Sequence, residues 1–127
     1  MDVKLFVMVL GMVVCLVFVD CATIGTASFY PPPYSREYMK HPDSFIAAAS
    51  NFIWANKTTC GRKLSVKCIG PLNPAPNRVP DPCKPKKVLV EIIEHCPHCH
   101  ETLNLSEEAF QKIANLDAGI VKIEYHE

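Results

Sequence analysis

The sequence predicts a mainly β protein, a closed barrel of antiparallel or mixed strands with one or two short helices. Short runs in which apolar and polar residues alternate recur along the chain, and prolines separate several of them. Strands and helices do not alternate regularly, which argues against a doubly wound parallel sheet. The length of 127 residues, of which 49% are hydrophobic, suits a single domain.

The first half of the chain contains two predicted strands and one predicted helix. Residues 25–30 (GTASFY) form a strand that ends at three consecutive prolines, which have no amide hydrogen for a sheet. Residues 45–56 (FIAAASNFIWAN) have apolar side chains at helical spacing, and Asp43 and Ser44 are suitable N-caps, so we expect a helix of about three turns. Residues 62–69 (RKLSVKCI) alternate and predict a half-buried strand.

The second half begins with a loop, because residues 71–85 include six prolines. Residues 88–94 (VLVEIIE) predict a central strand, and ETLNL, after the block HCPHCH, predicts a further one. Ser106 is a suitable N-cap for a short helix over residues 107–115. Residues 119–126 (GIVKIEYH) predict the last strand.

The N-terminus predicts secretion. Residues 5–19 are apolar and uncharged, Lys4 precedes them, and small residues follow, as in a signal peptide. The run is shorter than the roughly 20 residues of a membrane-spanning helix. We therefore expect a signal peptide over residues 1–22, cleaved between Cys21 and Thr23, and one domain over residues 23–127 that does not insert into a membrane.

The charge balance limits the partners. Thirteen Lys and Arg residues match thirteen Asp and Glu residues, and the formal net charge is +0. Such a chain produces no long-range field that attracts nucleic acids or anionic membranes. We expect no nucleic-acid partner.

Seven cysteines in a secreted chain of this size predict disulfides. Cys68 and Cys83 flank the proline-rich loop, and joining them would remove about 3 kcal/mol of unfolded-state entropy. Cys60 is then left over. It is free, pairs with Cys21 if cleavage lies upstream, or cross-links a second chain.

The block at residues 95–100 (HCPHCH) permits several interpretations. A redox site needs a thiolate stabilised by a helix N-terminus, whereas a strand is predicted to follow. A zinc ribbon needs a second cysteine pair at similar spacing, and haem attachment needs a large apolar pocket. We favour a local disulfide between Cys96 and Cys99 and expect no metal or cofactor; metal capture by the three nearby histidines remains the alternative.

Four separated blocks resemble a known family. GTASFYPPPY, IAAASNFIWANKTTCGRKLSVKCIG, VEIIEHCPHC and LNLSEEAFQKIANLDAGIVKIEY are similar, in this order, to the plant natriuretic peptides. These are small secreted expansin-like proteins with an endoglucanase family-45-like domain, related to barwin. The resemblance implies a six-stranded double-psi β-barrel and a cysteine pair at positions 96 and 99. The second, carbohydrate-binding domain of expansins is not expected, because the chain ends at Glu127.

The resemblance also implies a function. Family members act in the apoplast as signals in water and ion homeostasis and in stress or defence responses. The activity-linked stretch corresponds here to residues that include Trp54, Arg62 and Lys63, which we take as candidates for receptor binding; for Trp54 we favour a core position over a contact. The expected partner is a cell-surface receptor or a cell-wall polysaccharide.

No enzymatic activity is expected. Related glycosidase barrels use two carboxyl groups, and the resemblance places Pro31 and Asn104 at the corresponding positions. An amide cannot donate the required proton, and the nearest carboxylates in the sequence are Glu94 and Glu101. The alternative function is a cell-wall polysaccharide-binding or weakly wall-modifying protein.

Two sequons mark possible N-glycosylation. They are Asn56 in NKT and Asn104 in NLS. Asn56 lies in a predicted turn and is the better candidate, whereas Asn104 is expected near the barrel wall.

Overall fold

Six strands close into a barrel whose order around the wall is β1-β5-β2-β4-β3-β6. The computed structural model describes residues 22–34, 45–55, 58–72 and 79–127. The strands are β1 (Thr23–Tyr30), β2 (Phe45–Ala49), β3 (Lys63–Pro71), β4 (Val88–His95), β5 (Leu103–Ser106) and β6 (Val121–His126). The signal peptide predicted for residues 1–22 lies almost entirely outside the described residues, as do the predicted caps Asp43 and Ser44.

The barrel is mixed. Strand β1 runs parallel to β5 and β2 runs parallel to β4, whereas the four other neighbouring pairs are antiparallel. This arrangement confirms the predicted closed barrel, and the six strands with one α-helix and one 3-10 turn agree with the predicted double-psi fold.

The helix predicted over residues 45–56 is wrong. Strand β2 occupies Phe45–Ala49, and a turn follows at residues 51–53. Strand β2 pairs with β4 at one edge and with β5 at the other, and both of its faces are buried, since the consecutive residues Ile46 and Ala47 are 0% exposed. A strand buried on both faces is apolar throughout, and periodicity alone cannot distinguish it from a buried helix.

One α-helix, α1 (Glu107–Ile113), packs against the barrel. Its N-cap Ser106 accepts a hydrogen bond through Oγ from the Ala109 backbone N–H at 3.2 Å, as the sequence predicts. Ala109, Phe110 and Ile113 are buried, so one face of α1 covers the core. A 3-10 turn at Leu116–Ala118, which the sequence analysis did not anticipate, connects α1 to β6. Within the described ranges, no helix is long and apolar enough to cross a membrane.

A disulfide joins Cys68 of β3 to Cys83 beyond the proline-rich loop, with 5.3 Å between the Cα atoms, the pairing proposed from the sequence. Cys68 belongs to the hydrophobic core, and Cys83 forms a β-bridge with Ala114 just after α1. The bond therefore connects the loop to both the barrel wall and the helix end.

Candidate functional site

A groove of about 420 Å³ crosses the barrel where four strands meet. Its lining residues are Tyr30, Pro33, Tyr34, Ala48, Glu94, His95, Cys96 and Asn104. The sheet register explains why they converge: Ala48 of β2 pairs with Glu94 of β4 on one side and with Asn104 of β5 on the other. The small side chain of Ala48 leaves room between a carboxylate and an amide.

Tyr30 and Glu94 form a hydrogen-bonded pair in this groove. The Tyr30 hydroxyl donates to Glu94 Oε1 at 2.8 Å. Burial, together with the adjacent Glu94 carboxylate, raises the pKa of Tyr30 well above its usual value. The phenol therefore stays protonated, and acts as a donor to Glu94, throughout the physiological pH range.

Asn104 is held by a neighbouring strand. Its Oδ1 accepts a hydrogen bond from Ser28 Oγ at 3.0 Å, and the two residues are register partners in the parallel β1/β5 ladder. Because the oxygen is engaged, the amide nitrogen supplies the donors available to a ligand. The hydroxyl of the sequon residue Ser106 is buried and caps α1, so the predicted glycosylation site lies in folded structure.

Two tyrosines form one side of the groove. The rings of Tyr30 and Tyr34 meet edge to face, with centroids 5.4 Å apart. The Tyr34 hydroxyl donates to Glu108 of α1 at 2.5 Å and accepts from the Glu107 backbone N–H at 3.3 Å. Partial burial and the Glu108 carboxylate raise the pKa of Tyr34 to about 12. These two hydrogen bonds to helix α1 fix the position of Tyr34 beside the groove.

On the other side of the groove, His95 contacts Trp54, the single tryptophan of the protein. The rings of Trp54 and His95 are stacked, with centroids 5.0 Å apart and planes 2° from parallel. His95 Nε2 also lies 2.6 Å from Asn51 Oδ1. Trp54 itself packs against the core. It therefore combines the core position weighed in the sequence analysis with a place beside the groove.

The HCPHCH block forms the turn between β4 and β5. Cys96 and Cys99 are joined by a disulfide, as proposed from the sequence, and the Cys96 backbone N–H donates to the Ala49 carbonyl at 2.8 Å. His98 and His100 are exposed. Among the described residues, no group of three or more His, Cys, Asp and Glu side chains is arranged to hold a metal ion.

The three candidate receptor contacts have different surroundings. Trp54 lies beside the groove, whereas Arg62 lines a different cavity of about 260 Å³ together with Phe52 and Tyr125. Arg62 is exposed and pairs through Nη1 with Glu127 Oε1 at 2.7 Å. Lys63 is exposed as the first residue of β3.

Two further predictions of the sequence analysis concern Asn56 and Cys60. Asn56 lies outside the described residues. Cys60 is exposed and carries a free thiol.

The sequence analysis missed the roles of Tyr30, Tyr34 and His95. The available signal was positional, since Tyr30 ends β1 just before the prolines and His95 ends β4 just before the cysteine block. To predict that these residues converge, one has to know that β2 and β4 pair in parallel at the groove.

Comparison with known proteins identifies the family. A family model described as lytic transglycolase, of the double-psi β-barrel type, matches residues 46–125. An EG45-like domain containing protein from Citrus jambhiri is 43% identical over 121 residues, which cover 91% of this chain and 90% of that protein. This chain belongs to the expansin-like EG45-like family. EG45-like domain containing protein 2 from Arabidopsis thaliana is 34% identical over 98% of this chain and 95% of its own length.

Solved structures agree with the EG45-like fold. The apo expansin of Clavibacter michiganensis superposes with a TM-score of 0.58 at 23% identity. An Asp-to-Asn mutant of that expansin in complex with cellohexaose gives a TM-score of 0.57 at 25% identity. Each alignment covers 84% of this chain, and the chain spans about half of the expansin's length. Cerato-platanin 3 from M. perniciosa gives a TM-score of 0.52 at 12% identity over 82% of this chain and 93% of its own.

Proposed function

We propose that this EG45-like barrel is a secreted, non-catalytic protein that binds neutral cell-wall polysaccharide in the groove. The observation that carries the proposal is the convergence of Tyr30, Glu94 and Asn104 between aromatic side chains. A carboxylate and an amide exchange hydrogen bonds with sugar hydroxyls, and few convergent polar groups in an open cleft are typical of ligand sites. The related expansin crystallised with cellohexaose supports a β-glucan as the ligand class.

The side chains of the groove support binding rather than hydrolysis. Most glycosidases use two carboxyl groups on opposite sides of the scissile bond. Within the described part of the chain, Glu94 is the carboxylate among the lining residues, and Asn104 supplies an amide that cannot act as a general acid. Glu108 approaches from α1, but its carboxylate is engaged in a hydrogen bond that the Tyr34 hydroxyl donates.

Calorimetric titration of the mature chain with cellohexaose tests binding. We expect Glu94→Gln and Asn104→Ala each to weaken it by about tenfold, since each removes one polar partner. Glu124→Gln, which makes the same chemical change on β6, is the matched control and should bind normally.

A parallel assay on cellulose, xylan and chitin measures release of reducing ends. We expect none above the background of buffer. Release by the unmodified protein that Glu94→Gln abolishes would overturn the non-catalytic assignment.

A second proposed function is extracellular signalling of the natriuretic-peptide type, in water and ion homeostasis and in stress or defence responses. Arg62 and Lys63 are both exposed, and the cavity that Arg62 lines also contains Phe52, which is 82% exposed. Exposed basic and aromatic side chains side by side are characteristic of protein contact surfaces. In a protoplast-swelling assay, Arg62→Ala/Lys63→Ala should weaken the response, whereas Lys112→Ala on α1 should not.

Both proposed functions require secretion to the apoplast, after removal of the signal peptide proposed for residues 1–22. Two disulfides in a small barrel support this, because such bonds persist in oxidising compartments. Secreted protein from plant cells should begin within residues 22–24, and its glycan should lie on Asn56 rather than on Asn104. Recovery of the chain from cytosol with Met1 intact would contradict secretion.

A further inference from the structure

The barrel wall opposite the groove carries a second polar depression. The groove uses residues of β1, β2, β4 and β5, whereas β3 and β6 lie across the barrel from β5 and β2. Here a depression of about 180 Å³ is lined by Ser65, Lys67, Lys87, Glu124 and His126. We call these five residues the basic wall.

Like charges face each other on the basic wall. The register pairs Lys67 with Glu124 on β6 and pairs Val66 with Val88 on β4. Continued by one residue, the same antiparallel register places Lys67 opposite Lys87. Like charges directly opposite each other destabilise a sheet, and Glu124 opposite Lys67 offsets this repulsion only in part.

The side chains of Lys67 and Lys87 are accessible to a ligand. Both are exposed, and within the part of the chain that the structure describes neither forms an ion pair or a hydrogen bond through its ammonium group. Glu124 is the one carboxylate among the five residues of the basic wall, which include two lysines, and exposed Lys86 adds a further positive charge next to Lys87. The local charge is therefore positive although the whole chain is neutral.

We propose that the basic wall binds the carboxylate groups of an acidic polysaccharide, a polyuronate. A lysine ammonium is a compact point charge that pairs well with single carboxylates. Leu89 is 55% exposed and lies two residues after Lys87 on the same face of β4. Ile69, which lies at the register shift of β3 two residues after Lys67, is 43% exposed. Their aliphatic surface suits the C–H faces of sugar rings.

Other polyanions fit the basic wall less well. Its lining residues include no Phe, Tyr or Trp on which a nucleic-acid base could stack, and its one imidazole, His126, has Nδ1 3.0 Å from the Glu127 carbonyl oxygen. Anionic membranes are recognised by clusters of about four to eight basic residues, and two opposed lysines with Lys86 fall short of that. Spaced carboxylates on a neutral sugar backbone match the observed mixture of charge and apolar surface.

Binding of the mature chain to polygalacturonate, measured by biolayer interferometry, tests the proposal. We expect Lys67→Gln and Lys87→Gln each to weaken binding by about tenfold. Lys112→Gln removes the same charge from α1 and should change it less than about twofold. Equal loss in all three variants would indicate net charge alone, and no loss in the first two would place binding elsewhere; either result overturns the proposal.

Glu124 supplies a test of the opposite sign. Glu124→Gln should strengthen binding, because it removes the carboxylate that competes for Lys67. Asp117→Asn gives the same change in net charge outside the basic wall and should have little effect. Stronger binding in both variants, or in neither, would contradict a local site.

Two further ligands define the chemistry. Fully methyl-esterified polygalacturonate keeps the backbone and loses the charge, so we expect no binding. Dextran sulfate should bind more weakly than polygalacturonate; equal or tighter binding of either polymer overturns carboxylate recognition. Glu94→Gln should bind polygalacturonate normally, which separates this proposal from the groove, and thermal unfolding of every variant confirms the fold.

Discussion

Thr26 and Thr102 hydrogen-bond to each other twice. The Thr26 backbone N–H donates to Thr102 Oγ1 at 3.0 Å, and the Thr102 backbone N–H donates to Thr26 Oγ1 at 3.2 Å. The pair lies just before Ala27 and Leu103, where the parallel β1/β5 ladder begins. This exchange helps to fix the register that brings Ser28 opposite Asn104 in the groove.

Gly25→Ala should destabilise the barrel by about 1 to 3 kcal/mol, because a Cβ at this position would lie 2.5 Å from Thr102 Oγ1. Chemical denaturation monitored by circular dichroism measures the change. In a double-mutant cycle, Thr102→Ala should recover part of the loss, since it removes two of the three closest atoms, Oγ1 and Cγ2. Strict additivity of the two substitutions would show that the clash is not the cause.

Tyr30→Phe should alter how stability depends on alkaline pH. The folded pKa of Tyr30 is raised by burial first and by Glu94 second, so the stabilising contribution is present below the unfolded pKa of about 10 and is lost above it. The wild-type free energy of unfolding should therefore fall more steeply above pH 10 than that of the variant. Near neutral pH the variant should lose about 1 kcal/mol.

Urea unfolding at pH 8, 10 and 11 measures both effects. The pKa values of Tyr34 and Tyr125 are also raised, and the substitution leaves both residues in place, so the variant should keep a smaller slope. Tyr125→Phe is the control for a partly buried phenol outside the groove. Identical pH profiles for wild type and Tyr30→Phe would contradict this account.

Removing the Cys68–Cys83 disulfide should cost about 3 kcal/mol, mainly because the unfolded chain regains the freedom of the loop. Guanidinium denaturation of Cys68→Ala/Cys83→Ala measures the loss. Cys60→Ser is the matched control: its thiol is exposed and free, so stability should change by no more than about 0.5 kcal/mol. A larger loss in Cys60→Ser would indicate that this residue has a structural role.

Most of the fold could be predicted from the sequence because several of its short strands alternate apolar with polar residues. Strand β3 shows this, since Leu64, Val66 and Cys68 are buried while Lys63 and Lys67 are exposed. Helix α1 was predictable from its cap Ser106, whose local hydrogen bond does not depend on the rest of the chain.

Strand β2 could not be predicted, because burial on both faces removes the alternation that marks a strand. The candidate site, too, could be predicted only in part from the sequence. Asn104 and Glu94 were singled out for their chemistry, but Tyr30 and His95 belong to the groove through sheet register, which links residues far apart in the chain. Pairing of non-adjacent strands is a property of the topology, and local patterns do not encode it.

The stacked pair Trp54 and His95 should make the groove visible by fluorescence. The protein has one tryptophan, and an imidazole ring in parallel contact at 5.0 Å is placed to quench it. His95→Ala should therefore raise the emission of Trp54 and lower stability by about 0.5 to 1.5 kcal/mol, the value of an aromatic pair.

Because His95 lines the groove, cellohexaose should change the emission of the wild type but have little effect on that of His95→Ala. His98→Ala, which alters an exposed histidine of the same turn, is the control and should respond like the wild type. A cellohexaose response that persists unchanged in His95→Ala would show that the sugar reaches Trp54 by another route, and the ligand would then have to be placed outside the groove.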